Sequence, residues 1–238
     1  MILQLDPEGQ DDELERKIRE EIERRFGREL TQALRNQLMA LLPPDATDDD
    51  VRAMINRLEA TSEPVRDILR RHLQQSADLG VSVALDTLSN VGLSFDWTMA
   101  HTEAAEWASR YSYELIRGMN ATTRQRLQVA VSDWFTNGDT LDQLRDELGP
   151  LFGKRRAAII AQTETTRAAA EGTILGYEAS GVTIEIEWTA VADERVCPVC
   201  GRLHGKRAAL RGEFEPGIRT PPAHVGCRCF VRPVIAEV

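Results

Sequence analysis

Aromatic residues make up only 5% of the 238-residue sequence, and long apolar runs are lacking. The longest largely apolar stretches, such as VSVAL and AAII, are far too short to span a bilayer. The first residues, MILQLDPEGQDDELERK, contain neither a basic segment nor an apolar one, so no signal peptide is expected. These absences predict a protein kept in a cytoplasm, where four cysteines are more commonly metal ligands than disulfides.

Acidic residues outnumber basic ones, and the net charge is −9. This charge argues against a protein that coats nucleic acid without sequence preference. The charge is unevenly distributed, because residues 1–50 contain fourteen acidic and seven basic residues. Residues 195–232, in contrast, contain eight basic and two acidic residues. This basic tail has two interpretations: local salt bridges that keep the chain soluble, or a surface that meets an acidic partner, protein or DNA.

Most of the chain has the apolar spacing of α-helices. Apolar residues recur at every fourth position from Leu14 to Leu42, a step that drifts around a helix of 3.6 residues per turn. We therefore expect this helix either to break near Gly27 or to place its two ends against different neighbours. Capping boxes at Thr122 and Thr140 predict that two later helices begin there. Further helical segments are expected over residues 51–61, 62–88 and 97–119.

A last long helix is predicted over residues 154–180, with Gly181 as its terminator. On one of its faces, Glu164, Arg167 and Glu171 follow one another at steps of three and four. This row is either a set of ordinary surface pairs or a polar seam that docks the C-terminal part of the chain.

The pattern changes after residue 181. Ile184, Ile186 and Trp188 alternate with polar residues, which predicts a half-buried strand. From Arg195 onward little regular structure is expected, apart from a closing strand in CRCFVRPVI.

All four cysteines lie in two short stretches near the end of the sequence. Cys197 and Cys200 form a C-x-x-C pair in which Pro198 favours a tight turn, and HVGC supplies His224 and Cys227 at the same spacing. Zinc requires four nitrogen or sulfur ligands in a tetrahedron, and two such turns provide them. The segment between the turns has no core of its own, so a structural zinc ion would offset the cost of ordering it.

Either Cys227 or Cys229 could be the fourth ligand, because the two side chains point to the same side of an extended chain. The predicted metal ligands are Cys197, Cys200, His224 and Cys227, with Cys229 as the main alternative and His204 as a further candidate. A redox pair fits less well, since a thioredoxin-like motif opens a helix whereas CPVCGRLHG is interrupted by glycine. The predicted fold class is α+β, with a mostly α-helical N-terminal two-thirds followed by a small zinc-stapled β/loop module.

The sequence contains no recognisable catalytic motif. HTE at residues 101–103 resembles the H-x-E of zinc deaminases, but nearly a hundred residues separate it from the C-x-x-C pair. An HNH-like nuclease would need further histidines and an asparagine around the zinc. Walker, G-x-G-x-x-G, G-x-S-x-G and H-E-x-x-H motifs are absent. Asp193 and Glu194 either accept hydrogen bonds that support the ligands or belong to a turn.

Taken together, these segments resemble a known family. The order of elements in the phage Mu F-type head morphogenesis domain matches, over roughly residues 95–234, the segments NGDTLDQLRDELGPLF, AAIIAQTETTRAAAEGTILGYEASGV, EWTAVADERVCPVCGRLHGK and TPPAHVGCRC. The residues that match the family's pattern in the tail are Asp193, Cys197, Cys200, Gly205, His224, Cys227 and Cys229. Gln162 departs from it, since the family often has arginine before TE.

The resemblance implies a minor head protein of a tailed phage or prophage, structural rather than enzymatic. Such proteins associate with the portal vertex and assist head assembly, DNA packaging or the fate of packaged DNA. The implied partners are the portal protein and the major capsid or scaffold protein, with DNA as a further candidate for the basic tail and no membrane. The implied locations are the host cytoplasm during assembly and the procapsid or virion head.

Two other classes of protein compete with this interpretation. One is a zinc-dependent nuclease or toxin-like effector carried on the same family domain, and the other is a host zinc-ribbon adaptor. The predicted division of the chain is an acidic helical region at 1–94, the helical part of the head domain at 95–181, and a strand plus zinc-binding module at 182–238.

Overall fold

The computed structural model describes residues 2–3, 10–90, 92–93, 96–182, 185–191 and 193–236. Helices dominate this part of the chain, as the apolar spacing predicts. The α-helices are α1 Gln10–Leu41, α2 Asp48–Arg57, α3 Glu63–Ser89, α4 Thr98–Asn137, α5 Leu141–Leu148, α6 Lys154–Ser180 and α7 Pro198–Leu203. A 3-10 turn, Gly149–Phe152, connects α5 to α6.

A small antiparallel sheet completes the α+β fold. Its strands are β1 Ile2–Leu3, β2 Glu185–Thr189, β3 Arg207–Ala209 and β4 Phe230–Ala236, in the spatial order β1-β4-β2-β3. Ile186 and Trp188 of β2 are completely buried whereas Glu185 is exposed, which confirms the predicted alternation. Ile184, which the same pattern included, lies outside the described residues. The closing strand in CRCFVRPVI is confirmed as β4.

The first helix continues through Gly27, so the expected break there is wrong. The chain packs as two compact units, and α1 contributes to both of them. The first unit consists of residues 1–23, 72–109 and 162–238, and the second consists of residues 24–71 and 110–161. The two ends of α1 therefore face different neighbours, which is what an apolar stripe with a four-residue step requires.

Each unit has its own buried apolar residues. In the second unit, Phe26 and Leu30 of α1, Met54 of α2 and Phe152 are almost completely inaccessible to solvent. In the first unit, a cluster built around Trp188 lies between α6 and the sheet. The division at residues 94 and 181 made from the sequence stays a prediction.

One predicted helix start is wrong and the other is confirmed. α4 continues through Thr122, whose hydroxyl donates to the carbonyl oxygen of Gly118 at 3.1 Å instead of capping a new helix. Gly138, with φ of 71°, follows the end of α4. Thr140 then caps α5: its hydroxyl accepts from the N–H of Gln143, and its own N–H donates to the Gln143 side chain at 2.7 Å.

Within the first unit, α3 and α6 approach each other closely at glycines. A Cβ on Gly172 would lie 1.9 Å from the carbonyl oxygen of Ala77, and one on Gly80 would lie 2.0 Å from that of Ala169. A methyl group at either position would overlap the backbone of the other helix. The small residues in AAAEGTILG are therefore explained by backbone-to-backbone packing.

The polar row on α6 is a docking seam. Glu164 is only 6% exposed and pairs with Arg167 at 3.0 Å. Glu171 and Glu178 bind Arg211, which follows β3 and reaches them at 2.5 Å and 2.8 Å. Because these contacts join the C-terminal segment to α6, the seam interpretation is correct for Glu171.

Candidate metal centre

The first of the two cysteine turns, which we call the first knuckle (residues 197–200), begins a short helix. Cys197 is the N-cap of α7, Pro198 follows at its first position, and the N–H of Cys200 donates to the Cys197 sulfur at 3.4 Å. Proline at this position lacks only an N–H that a helix would leave unpaired. The expectation that no helix would follow the C-x-x-C pair is wrong, because Gly201 lies inside α7 and the helix ends before Gly205.

The second knuckle comprises residues 224–227 and is a turn that needs glycine. Gly226 has φ of 77°, in the left-handed region, and the N–H of Cys227 donates to the His224 carbonyl at 3.2 Å. His224 Nδ1 lies 2.8 Å from the carbonyl oxygen of Val225. A proton on Nδ1 donated to this carbonyl leaves Nε2 free to bind a metal, as in most histidine ligands.

The two knuckles bring their donor atoms into two groups that share Cys200, so the four predicted ligands do not form one group. His224 Nε2 lies 3.1 Å from the sulfurs of both Cys197 and Cys200, and the sulfurs of Cys200 and Cys227 are 3.7 Å apart. Two groups of donors lie within 4.8 Å, one of Cys197, Cys200 and His224 and one of Cys200, Cys227 and Cys229. Zn–S bonds of about 2.3 Å in a tetrahedron place two sulfurs about 3.8 Å apart. The soft donors and their spacing are thus compatible with a structural metal.

Cys227 and Cys229 are in different environments, although both are buried. The side chain of Cys229, together with backbone hydrogen bonds, lowers the pKa of the Cys227 thiol to about 5 despite its burial. The pKa of Cys229 is raised, first because its side chain bonds to Cys227 and then because it is buried. Burial raises the pKa of Cys200 as well, although Cys200 belongs to both donor groups, so a raised thiol pKa does not by itself separate Cys229 from the ligands.

The segment around the second knuckle is fixed by an ion pair. Arg228, between the two cysteines, donates to both carboxylate oxygens of Asp193 at 2.6 Å and 2.7 Å. The hydrogen bond from Arg228 lowers the pKa of Asp193, with a smaller contribution from the N–H of Arg195. Asp193 thus bonds to Arg228, beside the candidate ligands, and to the N–H of Arg195 within its own turn.

The second knuckle is also bound to α6. The N–H of Gly226 donates to the Thr163 hydroxyl at 2.9 Å, and the Thr166 hydroxyl donates to the carbonyl of Cys227 at 2.9 Å. A Cβ on Gly226 would lie 3.4 Å from the Gln162 side chain. The QTETT segment, which departs from the family's pattern at Gln162, is thus the platform on which the second knuckle lies.

His204, a further candidate ligand, and His101, from the HTE motif, belong to neither donor group. His204 Nδ1 accepts from the N–H of Ala190 at 3.3 Å, and His204 belongs to neither group among the described residues. His101 of α4 lies 2.9 Å from Asp78 of α3. Neither contact favours the deaminase-like interpretation of HTE.

Sequence reasoning missed the contacts that support the site. Arg228 could have been suspected, since a basic residue separates two cysteines near an acidic residue that precedes the first knuckle. Thr163 and Thr166 carry no such signal, because only the fold places the middle of α6 under the second knuckle. Arg211 carries no such signal either, since its φ of 69° and its pairs with Glu171 and Glu178 are visible only in the structure.

The basic tail is largely neutralised within the molecule. At least seven of its basic residues are within ion-pairing distance of a carboxylate: Arg195 and Arg228 of Asp193, Arg202 and Lys206 of Glu215, Arg207 of Glu187, Arg211 of Glu171 and Glu178, and Arg219 of Glu213. The eighth, Arg232, lies over the ring of Phe230 at 5.1 Å. This pattern favours local salt bridges over a free basic surface.

The fold and the cluster together define an α+β protein, mostly helical, whose small sheet carries a candidate structural metal centre. The sequence model of a family described as Phage Mu protein F like protein matches residues 102–232, more than half of the chain. The protein therefore belongs to this family and is a phage head morphogenesis protein. No curated protein and no solved structure was found to match it. Across the described residues, no helix has the length and apolarity needed to cross a membrane.

Proposed function

We propose that this protein acts structurally at the portal vertex during procapsid assembly and DNA packaging, through contacts with the portal protein and the major capsid or scaffold protein. The observation that carries the proposal is the family match over residues 102–232. The burial of Cys200 and Cys227 within the donor cluster supports a structural role for this part of the protein. In this view the protein acts in the host cytoplasm during assembly and in the procapsid or virion head.

The metal in this proposal is zinc, held by Cys197, Cys200, His224 and Cys227. Zinc would cross-link the two knuckles through tetrahedral coordination and would have no catalytic role. In this assignment Cys229 stays outside the ligand set, although it lies beside Cys200 and Cys227 and is the alternative fourth ligand.

Metal analysis of purified variants tests the ligand set. Cys227→Ser should lose the zinc, whereas Cys229→Ser should retain most of it. Wild-type protein and Thr102→Val, an exposed change on α4, serve as controls for folding and metal loading. Loss in Cys229→Ser with retention in Cys227→Ser would reverse the assignment, and a wild-type protein free of metal would contradict it.

We also propose that the basic tail contacts protein rather than DNA. Its paired side chains support this choice, because a phosphate backbone would have to replace carboxylates that already bind those side chains. DNA binding that falls steeply with salt would favour DNA instead.

Deletion of the gene from the encoding phage tests the function as a whole. The expected result is a loss of DNA-filled heads that the wild-type gene restores, together with co-purification of the protein and the portal protein from assembly lysates. A normal yield of infectious particles after deletion would refute the proposal.

A further inference from the structure

A groove in the second unit is separate from the metal centre. Its volume is about 460 Å³, within the range of ligand pockets. One wall is a face of α4 that runs from Tyr113 to Gln128 at helical spacing, and the other is formed by residues from Glu59 to Arg66 around the start of α3.

The floor of the groove is rigid. Ser62 is buried and its hydroxyl lies 3.0 Å from the side-chain oxygen of Asn120. Gln37 of α1 donates to the same hydroxyl at 2.9 Å. These bonds fix α3 and α4 against each other within the unit, so the groove does not have to form when a ligand binds.

Three arginines and two glutamates line the groove. Arg66 pairs with Glu63, and Arg124 donates to Glu59 at 2.7 Å. Arg117 is different: its guanidinium lies 5.9 Å from the ring centre of Tyr113, and no carboxylate among the described residues is recorded within ion-pairing distance of it. The groove therefore has one guanidinium more than its own carboxylates neutralise, in a chain of net charge −9.

An apolar contact lies next to this charge. Tyr113 is 54% exposed, and Ile116 lies beside it in the groove wall. Tyrosine and arginine are enriched among the residues that dominate binding energy at protein interfaces.

We propose that this groove binds an acidic, partly apolar peptide segment of a partner protein. A carboxylate of the segment bonds to Arg117, and an apolar side chain packs on Tyr113. Duplex DNA fits less well, because its continuous row of phosphates would lie against Glu59 and Glu63. The inference rests on the proposed function only in that both require protein partners.

Fluorescence anisotropy with a labelled octapeptide that has one central Glu among Leu and Ser residues tests the groove. The full-length protein should bind it, and Arg117→Gln should weaken binding about tenfold, since a charge-assisted hydrogen bond is lost. Tyr113→Ala should weaken it similarly. Arg126→Gln, on an exposed position of α4 outside the groove, should bind like wild type.

Three results would overturn the inference. They are no binding to wild-type protein at about 1 mM peptide, equal binding by Arg117→Gln and Arg126→Gln, and equal binding of a peptide with Gln in place of Glu. Stronger binding of duplex DNA that depends on Arg117 would assign the groove to nucleic acid and would also overturn it. Unchanged zinc content in each variant separates these failures from failure of the metal centre, and the gene deletion tests the head function independently.

Discussion

Substitution of Gly172 by alanine tests the packing of α3 against α6. Alanine favours a helix over glycine by about 1 kcal/mol, so the change would stabilise an isolated α6. In the folded protein the new Cβ would lie 1.9 Å from the Ala77 carbonyl oxygen and 2.7 Å from the carbonyl carbon. Carbon and oxygen rarely approach closer than about 3.3 Å, so the two helices would have to separate by more than about 1 Å.

Such a separation would be expensive because the obstacle is backbone and cannot change rotamer. Overpacking in a core costs about 1–3 kcal/mol, and a gap of 0.5–1 Å removes a quarter to a half of each affected dispersion contact. Taking the upper end and subtracting the gain in helix propensity, we expect Gly172→Ala to lower the free energy of unfolding by about 2 kcal/mol.

Gly118 of α4 provides a matched control, since a Cβ there would meet nothing within 4 Å. Gly118→Ala should raise the free energy of unfolding by about 0.5–1 kcal/mol. Urea unfolding followed by far-ultraviolet circular dichroism measures both changes. If both variants shifted stability in the same direction, the claim that the backbones of α3 and α6 touch would be refuted.

Three further predictions concern single hydrogen bonds. Thr166→Val should weaken zinc binding about tenfold in a chelator competition, because it leaves the carbonyl of the second knuckle unpaired. Asp50→Asn should lower Tm at pH 7 more than Asp49→Asn does; hydrogen bonds from the N-cap of α2 lower the pKa of Asp50 to about 2, so its stabilisation is present above about pH 4 and the Tm difference should disappear as the pH falls toward 2. Thr140→Ala should cost about 1 kcal/mol in urea unfolding, whereas Thr122→Ala should be within about 0.5 kcal/mol of wild type.

The local elements of this fold could be predicted from sequence because their signals are local. α6 has the predicted bounds, since Gly181, with φ of 67°, supplies a left-handed residue directly after it. The candidate donor residues could be named for the same reason, because each knuckle is a four-residue unit; which of them bind a metal stays a prediction. The false helix start at Thr122 shows the limit: a threonine three residues before a glutamine caps only a helix that begins there, and nothing nearby ends α4.

Contacts between distant segments could not be predicted in this way. The pairing of β1 with β4 joins the two ends of the described chain, and no pattern in either strand specifies the other. Thr163 and Thr166 support the second knuckle only because the fold packs α6 against it, and their sequence positions do not indicate this contact. The charge of the basic tail left two interpretations open for a similar reason, since its partners include Glu171 and Glu178 on a helix more than thirty residues away.

The same contacts decide what loss of metal would do. Three independent restraints hold the second knuckle: the metal donors, the two threonines of α6, and the pair between Arg228 and Asp193. The ion pair does not depend on metal and joins the second knuckle to Asp193, in the turn before the first knuckle. The threonines contact only the second knuckle, so removal of metal should loosen the first knuckle more than the second. The first knuckle is held by the packing of Cys200 and Leu203 into the buried cluster around Trp188, and its Cys197 is partly exposed. After treatment with a chelator, the first knuckle should therefore be the first site of protease cleavage, and Cys197 the first cysteine to react with a thiol reagent.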